Sequence, residues 1–157
     1  MELTDTVEDY LKGLLALATE AEAARTVPLA DLLGVSAAAA TSMLKRLAAA
    51  GLVEYAPYYG AQLTPRGRDE AVRVLRRHRI LETFLVRVLG FPPEAVHPEA
   101  ERLEHAASDE VVEAMARYLG APERDPHGAP IPAPAKRRRG NAHGTQPDIM
   151  GAALRAA

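Results

Sequence analysis

The fold is decided by residues 28–64, whose sequence reads PLADLLGVSAAAATSMLKRLAAAGLVEYAPYYGAQLT. Pro28 suits the first turn of a helix, and the apolar spacing that follows it stops at Gly34. Ser36 can cap a second helix, which Gly51 would terminate. After Gly51 the apolar residues alternate as they do in strands, in two runs separated by a Pro-Tyr-Tyr-Gly turn. The pattern therefore predicts two helices followed by a small hairpin.

The flanking segments are helical by the same criterion of apolar periodicity. We predict helices at residues 5–22, 28–33, 36–50, 65–89, 94–96, 98–107 and 108–119, and strands at residues 52–56 and 61–64. From residue 123 onward Pro, Gly and Ala dominate, which indicates little regular structure. The expected fold is mainly α. It has an N-terminal winged helix-turn-helix (1–72), a helical metal-binding and dimerisation domain (73–122) and a Pro/Ala/Arg-rich tail (123–157).

Composition and charge narrow the classes of function. Apolar residues make up 48% of the 157-residue chain, which is enough for a core, and there is no cysteine. Any metal must therefore be held by oxygen and nitrogen. No apolar run is long enough to span a membrane and the start is charged, so we expect a cytoplasmic protein. Residues 36–80 carry eight basic and three acidic side chains, whereas residues 94–125 carry nine acidic and three basic ones.

This charge pattern fits a polyanion partner for the first region and a cation for the second. The order helix, turn, helix, hairpin is that of a winged helix-turn-helix, whose second helix enters the DNA major groove. The residues that we expect to face DNA are Ser36, Ala38, Thr41, Ser42, Lys45, Arg46, Tyr59 and Arg66. The alternative is an ordinary alanine-rich helix with a solvated basic edge. The hairpin and the local surplus of positive charge favour DNA.

Histidines and carboxylates recur at helical spacing in the second half. His78 and Glu82 share one helix face, as do His97, Glu101 and His105. Each pair alone is compatible with an ordinary exposed helix surface. Together with acidic residues in the first helix, they could form an oxygen-rich site for Mn(II) or Fe(II), and Zn(II), Co(II) or Ni(II) could bind it in vitro.

At this point the sequence resembles the diphtheria toxin repressor and manganese transport regulator family of metal-dependent repressors. The resemblance covers about residues 4–132. It rests on the motifs DTVEDYL (5–11), GLV (51–53), LTPRG (63–67), RHRILE (77–82), VHPEAERLEH (96–105), SDE (108–110) and PHGAPIP (126–132).

The resemblance implies two metal sites. The primary site would use Asp9, Glu101, Glu104 and His105, and an ancillary site would use His78, Glu82 and His97. Iron-sensing members have Met and Cys at the positions of Asp9 and Glu101, so the two acids here match the manganese-sensing type. Manganese-sensing members have a further Glu where this chain has Lys12. That departure leaves the number of metals open and keeps Fe(II) as an alternative to Mn(II).

The resemblance also implies a homodimer that binds a palindromic DNA operator and represses or tunes metal-transport genes. Long members carry an SH3-like domain, which we do not expect in residues 133–157, although the basic run 136–139 could contact phosphates. There are two rival classes. One is a metal-dependent enzyme, but no nucleophile motif or phosphate loop is found, so we do not expect an enzyme. The other is a winged-helix regulator that senses an organic ligand or nothing.

Overall fold

The computed structural model describes residues 3–18 and 22–134, and it is mainly helical. The elements are α1 (Asp5–Leu17), α2 (Thr26–Leu33), α3 (Ala37–Ala49), β1 (Val53–Ala56), β2 (Gly60–Leu63), α4 (Pro65–Arg87), a 3-10 helix (Pro93–Ala95), α5 (His97–Glu104) and α6 (Asp109–Tyr118). The predicted class is confirmed. A winged helix-turn-helix, formed by α1, α2, α3 and the β1–β2 hairpin, is followed by a helical unit formed by α4, α5 and α6.

The helix-turn-helix forms as the sequence pattern predicts. Gly34 ends α2 in the left-handed conformation with φ 65°, which glycine adopts without steric strain. The Ser36 hydroxyl caps α3 by accepting a hydrogen bond from the Ala39 amide at 3.1 Å. Leu44 and Leu47 are fully buried, so α3 presents its opposite face to solvent.

The wing is a two-stranded antiparallel sheet joined to the start of α4. Val53 pairs with Leu63, and Ala24 adds an isolated bridge to Ala61. At Gly67, in the first turn of α4, a Cβ atom would lie only 1.9 Å from the Leu52 carbonyl oxygen. A glycine is therefore required for the long helix to start so close to the hairpin.

α4 is the central helix of the structure, because α1, α5 and α6 all pack along it. The winged-helix core is built from leucines such as Leu11, Leu14 and Leu29, each fully buried. A second, smaller core joins α4 to α5 through Leu85, Val96 and neighbours. α1 and α5 thereby lie against the same helix, which places the start of the chain beside the acidic region.

Several predicted boundaries differ from the structure. α1 ends at Leu17 rather than near residue 22, and residues 19–21 lie outside the described part. α5 covers His97–Glu104 instead of 98–107. No single helix in the described ranges is long and apolar enough to span a membrane; α2 and α3 reach that length and composition together, with a bend of 107° between them.

The described residues after α6, 119–134, contain no helix, and residues 123–134 pack against the helical unit. Asp125 is buried, Ile131 contacts the core around Ile80, and the Ile131 amide donates to the Glu123 carbonyl at 2.8 Å. The basic run at 136–139 lies outside the described residues.

Candidate metal centre and nucleic-acid interface

A cleft of about 820 Å³ runs between α1, α4 and α5. All four histidines within the described residues line this cleft: His78, His97, His105 and His127. Asp9, Lys12, Glu82, Glu101 and Asp125 line it as well. The cleft therefore collects donors from the first helix, from the helical unit and from the segment after α6.

The first group of donors, here called the α1–α5 cluster, consists of Asp9, Glu104 and His105. Asp9 Oδ1 lies 3.2 Å from His105 Nε2, and His105 Nε2 lies 3.7 Å from Glu104 Oε1. One donor atom from each residue lies within 4.8 Å of the other two. Asp9 belongs to the winged helix, whereas Glu104 and His105 belong to the helical unit, so this cluster connects the two parts.

Glu8 orients His105 by contacting the ring nitrogen that faces away from Asp9. Its buried carboxylate lies 3.0 Å from His105 Nδ1, which leaves Nε2 directed at Asp9. Arg77 in turn contacts Glu8 at 3.3 Å and donates to the Glu104 carbonyl at 2.8 Å. A carboxylate that fixes the tautomer and orientation of an imidazole is the usual partner of a metal-binding histidine. Sequence analysis did not single out Glu8.

Glu104 is fully buried and uses both carboxylate oxygens. Oε1 lies 2.5 Å from Lys12 Nζ, and Oε2 lies 2.5 Å from His78 Nδ1. Burial opposes the charged form, but the hydrogen bonds from His78 and Lys12 outweigh it and lower the pKa of Glu104. At Asp9, by contrast, burial raises the pKa, and the neighbouring His105 and Lys12 offset only part of that effect.

The second group, the α4–α5 cluster, consists of His78, Glu82 and His97. Glu82 Oε1 lies 3.0 Å from His78 Nε2 and 3.0 Å from His97 Nδ1. Burial disfavours the imidazolium, but hydrogen bonds to Glu104 and Glu82 raise the pKa of His78 to about 9. Burial likewise opposes ionisation of Glu82, and the hydrogen bond from His78 lowers its pKa to about 2. The two carboxylates therefore favour the protonated form of His78.

Glu101 lies between the two clusters and belongs to neither three-residue group. Its side chain is half exposed, with Oε1 3.8 Å from Lys12 Nζ and 3.2 Å from His97 Nε2. Of the four predicted primary ligands, the structure thus brings Asp9, Glu104 and His105 together and leaves Glu101 at the rim.

Asp125 and His127 form a third group with Glu82, which sequence analysis did not predict. His127 Nδ1 lies 3.6 Å from Glu82 Oε2, so three histidines surround this one buried carboxylate. Asp125 Oδ1 accepts hydrogen bonds from the backbone amides of His127 and Ala129, both at 2.9 Å. The composition of this segment suggested a loose tail, and the spacing of its residues carried no sign of a return to α4.

The outer face of α3 presents most of the residues predicted to face DNA. Ser36, Ala38, Ser42, Lys45 and Arg46 are exposed, and Thr41 is half-buried. This face offers hydroxyls, methyl groups and two positive charges, a combination that suits close approach to a groove with phosphate contacts at one end.

The wing extends this surface. Tyr59 is 80% exposed, and its neighbour Tyr58, not predicted as a contact, is 97% exposed with φ 69°. A groove of about 540 Å³ runs between α2, α3 and the wing, lined by Thr41, Lys45 and Tyr58 among others. Arg66 is exposed, although its guanidinium also donates to the Ala50 carbonyl at 3.4 Å.

The donor set fits a divalent cation. Ligand atoms of one ion lie about 2.0–2.6 Å from it, so donor atoms within 4.8 Å of one another can reach a common ion. Burial raises the pKa of Asp9, and a cation beside the carboxylate would favour its charged form. Oxygen and imidazole donors without sulfur suit Mn(II) and Fe(II), and they also accept Zn(II).

Comparison with known proteins matches both parts of the chain to one family. Residues 2–61 match the family model described as the iron dependent repressor N-terminal DNA binding domain. Residues 64–133 match the iron dependent repressor metal binding and dimerisation domain. An HTH-type transcriptional regulator of Methanocaldococcus jannaschii is 36% identical over 118 residues, which cover 74% of this chain and 94% of that protein. The iron-dependent repressor of Mycobacterium tuberculosis is 37% identical over 131 residues, which cover 83% of this chain and 57% of that repressor.

Solved structures give the same picture. A manganese-dependent transcriptional repressor in complex with manganese superimposes with a TM-score of 0.75 at 44% identity, over 81% of this chain and 58% of that one. The manganese regulator SloR superimposes with a TM-score of 0.73 at 35% identity, over 87% of this chain and 62% of that regulator. The chain thus spans little more than half the length of these repressors.

Proposed function

The chain belongs to the iron dependent repressor family, and from that premise we propose that it is a metal-dependent, DNA-binding transcriptional regulator. It would repress or tune metal-transport genes when metal is bound. The relatives described as repressors are longer than this chain, so variants of its own residues provide the test.

One observation carries the proposal: the α1–α5 cluster takes one donor from the winged helix and two from the helical unit. Asp9 moves with α1, and Glu104 and His105 move with the end of α5. A bound divalent cation would place positive charge beside Asp9, where burial raises the carboxyl pKa. Joint ligation by the three side chains fixes the orientation of the DNA-reading module, so metal and DNA binding are linked.

We propose Mn(II) as the effector. Two carboxylates and one imidazole make a hard donor set, and the predicted fourth ligand, Glu101, would add a third carboxylate by a small shift from the rim. Fe(II) is the second candidate, since an iron-dependent repressor is among the relatives. The α4–α5 cluster would hold the ancillary ion, with His78, Glu82 and His97 as ligands.

We further propose that the protein acts in the cytoplasm as a homodimer on a palindromic operator. The helical unit matches a domain described as a dimerisation domain, and it exposes five large apolar side chains: Val88, Leu89, Leu103, Val111 and Tyr118. Two copies related by a two-fold axis would present two α3 helices to successive major grooves.

The test begins with selection of binding sequences from a random duplex library in the presence of Mn(II). The affinity for a selected duplex is then measured by fluorescence anisotropy with Mn(II), with anaerobic Fe(II), with Zn(II) and with a chelator. We expect tight binding only with metal and the largest gain with Mn(II). A larger gain with Fe(II) would replace the proposed effector without changing the class of protein.

The double variant Glu101→Ala/His105→Ala identifies the site. It should lose metal-dependent binding, whereas Glu94→Ala, which removes an exposed carboxylate of the 3-10 helix, should behave as wild type. Metal-dependent binding retained in the double variant would contradict the proposal, as would catalytic turnover without any selection of DNA.

A further inference from the structure

Lys12 places a fixed positive charge inside the α1–α5 cluster. It lies one helical turn after Asp9, and its side chain is only 21% exposed. The ammonium lies 2.5 Å from Glu104 Oε1 and 3.8 Å from Glu101 Oε1. The Glu104 oxygen that lies 3.7 Å from His105 Nε2 is thus the same oxygen that Lys12 contacts.

This contact satisfies Glu104 without a metal. A carboxylate with no exposed surface is strongly unfavourable unless both oxygens have partners. Lys12 contacts Oε1 and His78 contacts Oε2. Another cation can therefore bind Glu104 only if one of these two contacts is lost. A lysine ammonium is a compact point charge, comparable in position to an ion but attached to α1.

We propose that Lys12 is a tethered cation that competes with metal for Glu104, and so raises the free-metal concentration at which the α1–α5 cluster fills. The inference rests on the proposed function, because it assumes that this cluster binds metal. It deepens that function by assigning the metal threshold to a residue that is not itself a ligand. It also restricts the cluster to one ion, since the ammonium already lies against Glu104 Oε1.

A structural salt bridge would behave differently from a competitor. If Lys12 only tied α1 to α5, its removal would loosen the cluster and weaken both folding and metal binding. A competitor has effects of opposite sign: its removal destabilises the metal-free protein, because Glu104 loses a partner, and strengthens metal binding, because Oε1 becomes free. The two measurements together therefore separate the two roles.

The test compares wild type with Lys12→Met, which keeps the length of the side chain and removes its charge. Mn(II) affinity and stoichiometry are measured by calorimetry on the full chain, and the midpoint of thermal unfolding is measured in chelator. We expect Mn(II) affinity to rise by at least about 10-fold, while the metal-free midpoint falls by roughly 4 °C. Arg68→Met, which removes a positive charge at an exposed position near the start of α4, is the control and should change neither.

Two further variants keep the result interpretable. Lys12→Gln can still donate a hydrogen bond to Glu104, so it should fold even if Lys12→Met does not, and it should also bind Mn(II) more tightly than wild type. Lys12→Arg keeps the charge and should retain the weaker wild-type affinity. If both neutral variants bind Mn(II) as tightly as wild type or more weakly, the inference about Lys12 is wrong but the proposed function stands. Absence of Mn(II) binding in every protein, wild type included, would overturn the proposed function together with it.

Discussion

The two donor clusters share α5 but differ in what they connect. The α1–α5 cluster takes Asp9 from the winged helix and Glu104 and His105 from the helical unit. The α4–α5 cluster takes all its donors, His78, Glu82 and His97, from the helical unit alone. An ion in the first cluster would fix the position of the DNA-binding module directly, whereas an ion in the second cluster would stabilise only the helical unit.

The surroundings of the histidines sharpen this difference. His105 is mostly buried, with Glu8 held against its second ring nitrogen, whereas the His97 side chain is 58% exposed. The comparison indicates that coupling to DNA depends on which helices supply the donors and on how rigidly each donor is held. The number of donors is the same in both clusters.

His105→Ala should have the largest effect. It removes the donor nearest to Asp9, and we expect the Mn(II)-dependent gain in DNA affinity to fall by about 100-fold, near the upper end of typical coupling energies. Fluorescence anisotropy with the selected duplex measures it. A gain within a factor of two of wild type would show that the α1–α5 cluster is not the coupling site.

Glu8→Gln should weaken metal binding at the α1–α5 cluster without removing a ligand. The neutral amide orients His105 less firmly than the carboxylate, so Mn(II) affinity at this site should fall by roughly 10-fold. Calorimetry measures the affinity. The ancillary site serves as the internal control, because its donors lie on α4 and α5, whereas Glu8 contacts His105 and Arg77. An equal loss at both sites would indicate general unfolding instead.

His97→Ala should abolish the ancillary ion but change Mn(II)-dependent DNA affinity by less than about 5-fold, since no winged-helix residue contributes to the α4–α5 cluster. Metal stoichiometry by elemental analysis and anisotropy on the same samples give both numbers. A loss of DNA affinity as large as that of His105→Ala would erase the distinction between the clusters.

Glu113→Gln should affect neither cluster and only stability. Two hydrogen bonds from Arg76, at 2.7 and 2.8 Å, tie Glu113 on α6 to α4 and lower its pKa. The stabilisation is therefore present above the ordinary carboxyl pKa and is lost as pH falls through the lowered one. We expect a loss of about 1 kcal/mol at pH 7, discounted for partial exposure, and no difference near pH about 2. Chemical denaturation at both pH values measures it; a difference that persists in acid would contradict this assignment.

Much of the fold was predictable because local signals agree with tertiary packing. Gly34, Ser36 and Gly51 mark the helix-turn-helix, and Leu44 and Leu47 are inside as their spacing indicates. The clusters were predictable for a different reason. Helical spacing aligned His78 with Glu82, but the role of Asp9 depended on the family resemblance, because no periodicity relates α1 to α5.

The remaining features depend on contacts between distant segments. Asp125 and His127 return to Glu82 through a segment of Pro, Gly and Ala whose composition predicts little structure. Glu8 and Asp9 are adjacent acids, and only the packing of α1 against α4 decides that Glu8 faces inward to Arg77. The proximity of Lys12 to Glu104 is likewise a contact across 92 positions that no local pattern encodes.

The central claim is that metal in the α1–α5 cluster and DNA on α3 are thermodynamically linked. Linkage is reciprocal, so the most direct measurement is Mn(II) affinity with and without saturating duplex, read from the electron paramagnetic resonance signal of free Mn(II). The account predicts that DNA tightens Mn(II) binding by the same factor by which Mn(II) tightens DNA binding, and that His105→Ala abolishes this factor. Equal Mn(II) affinity with and without the duplex would contradict it.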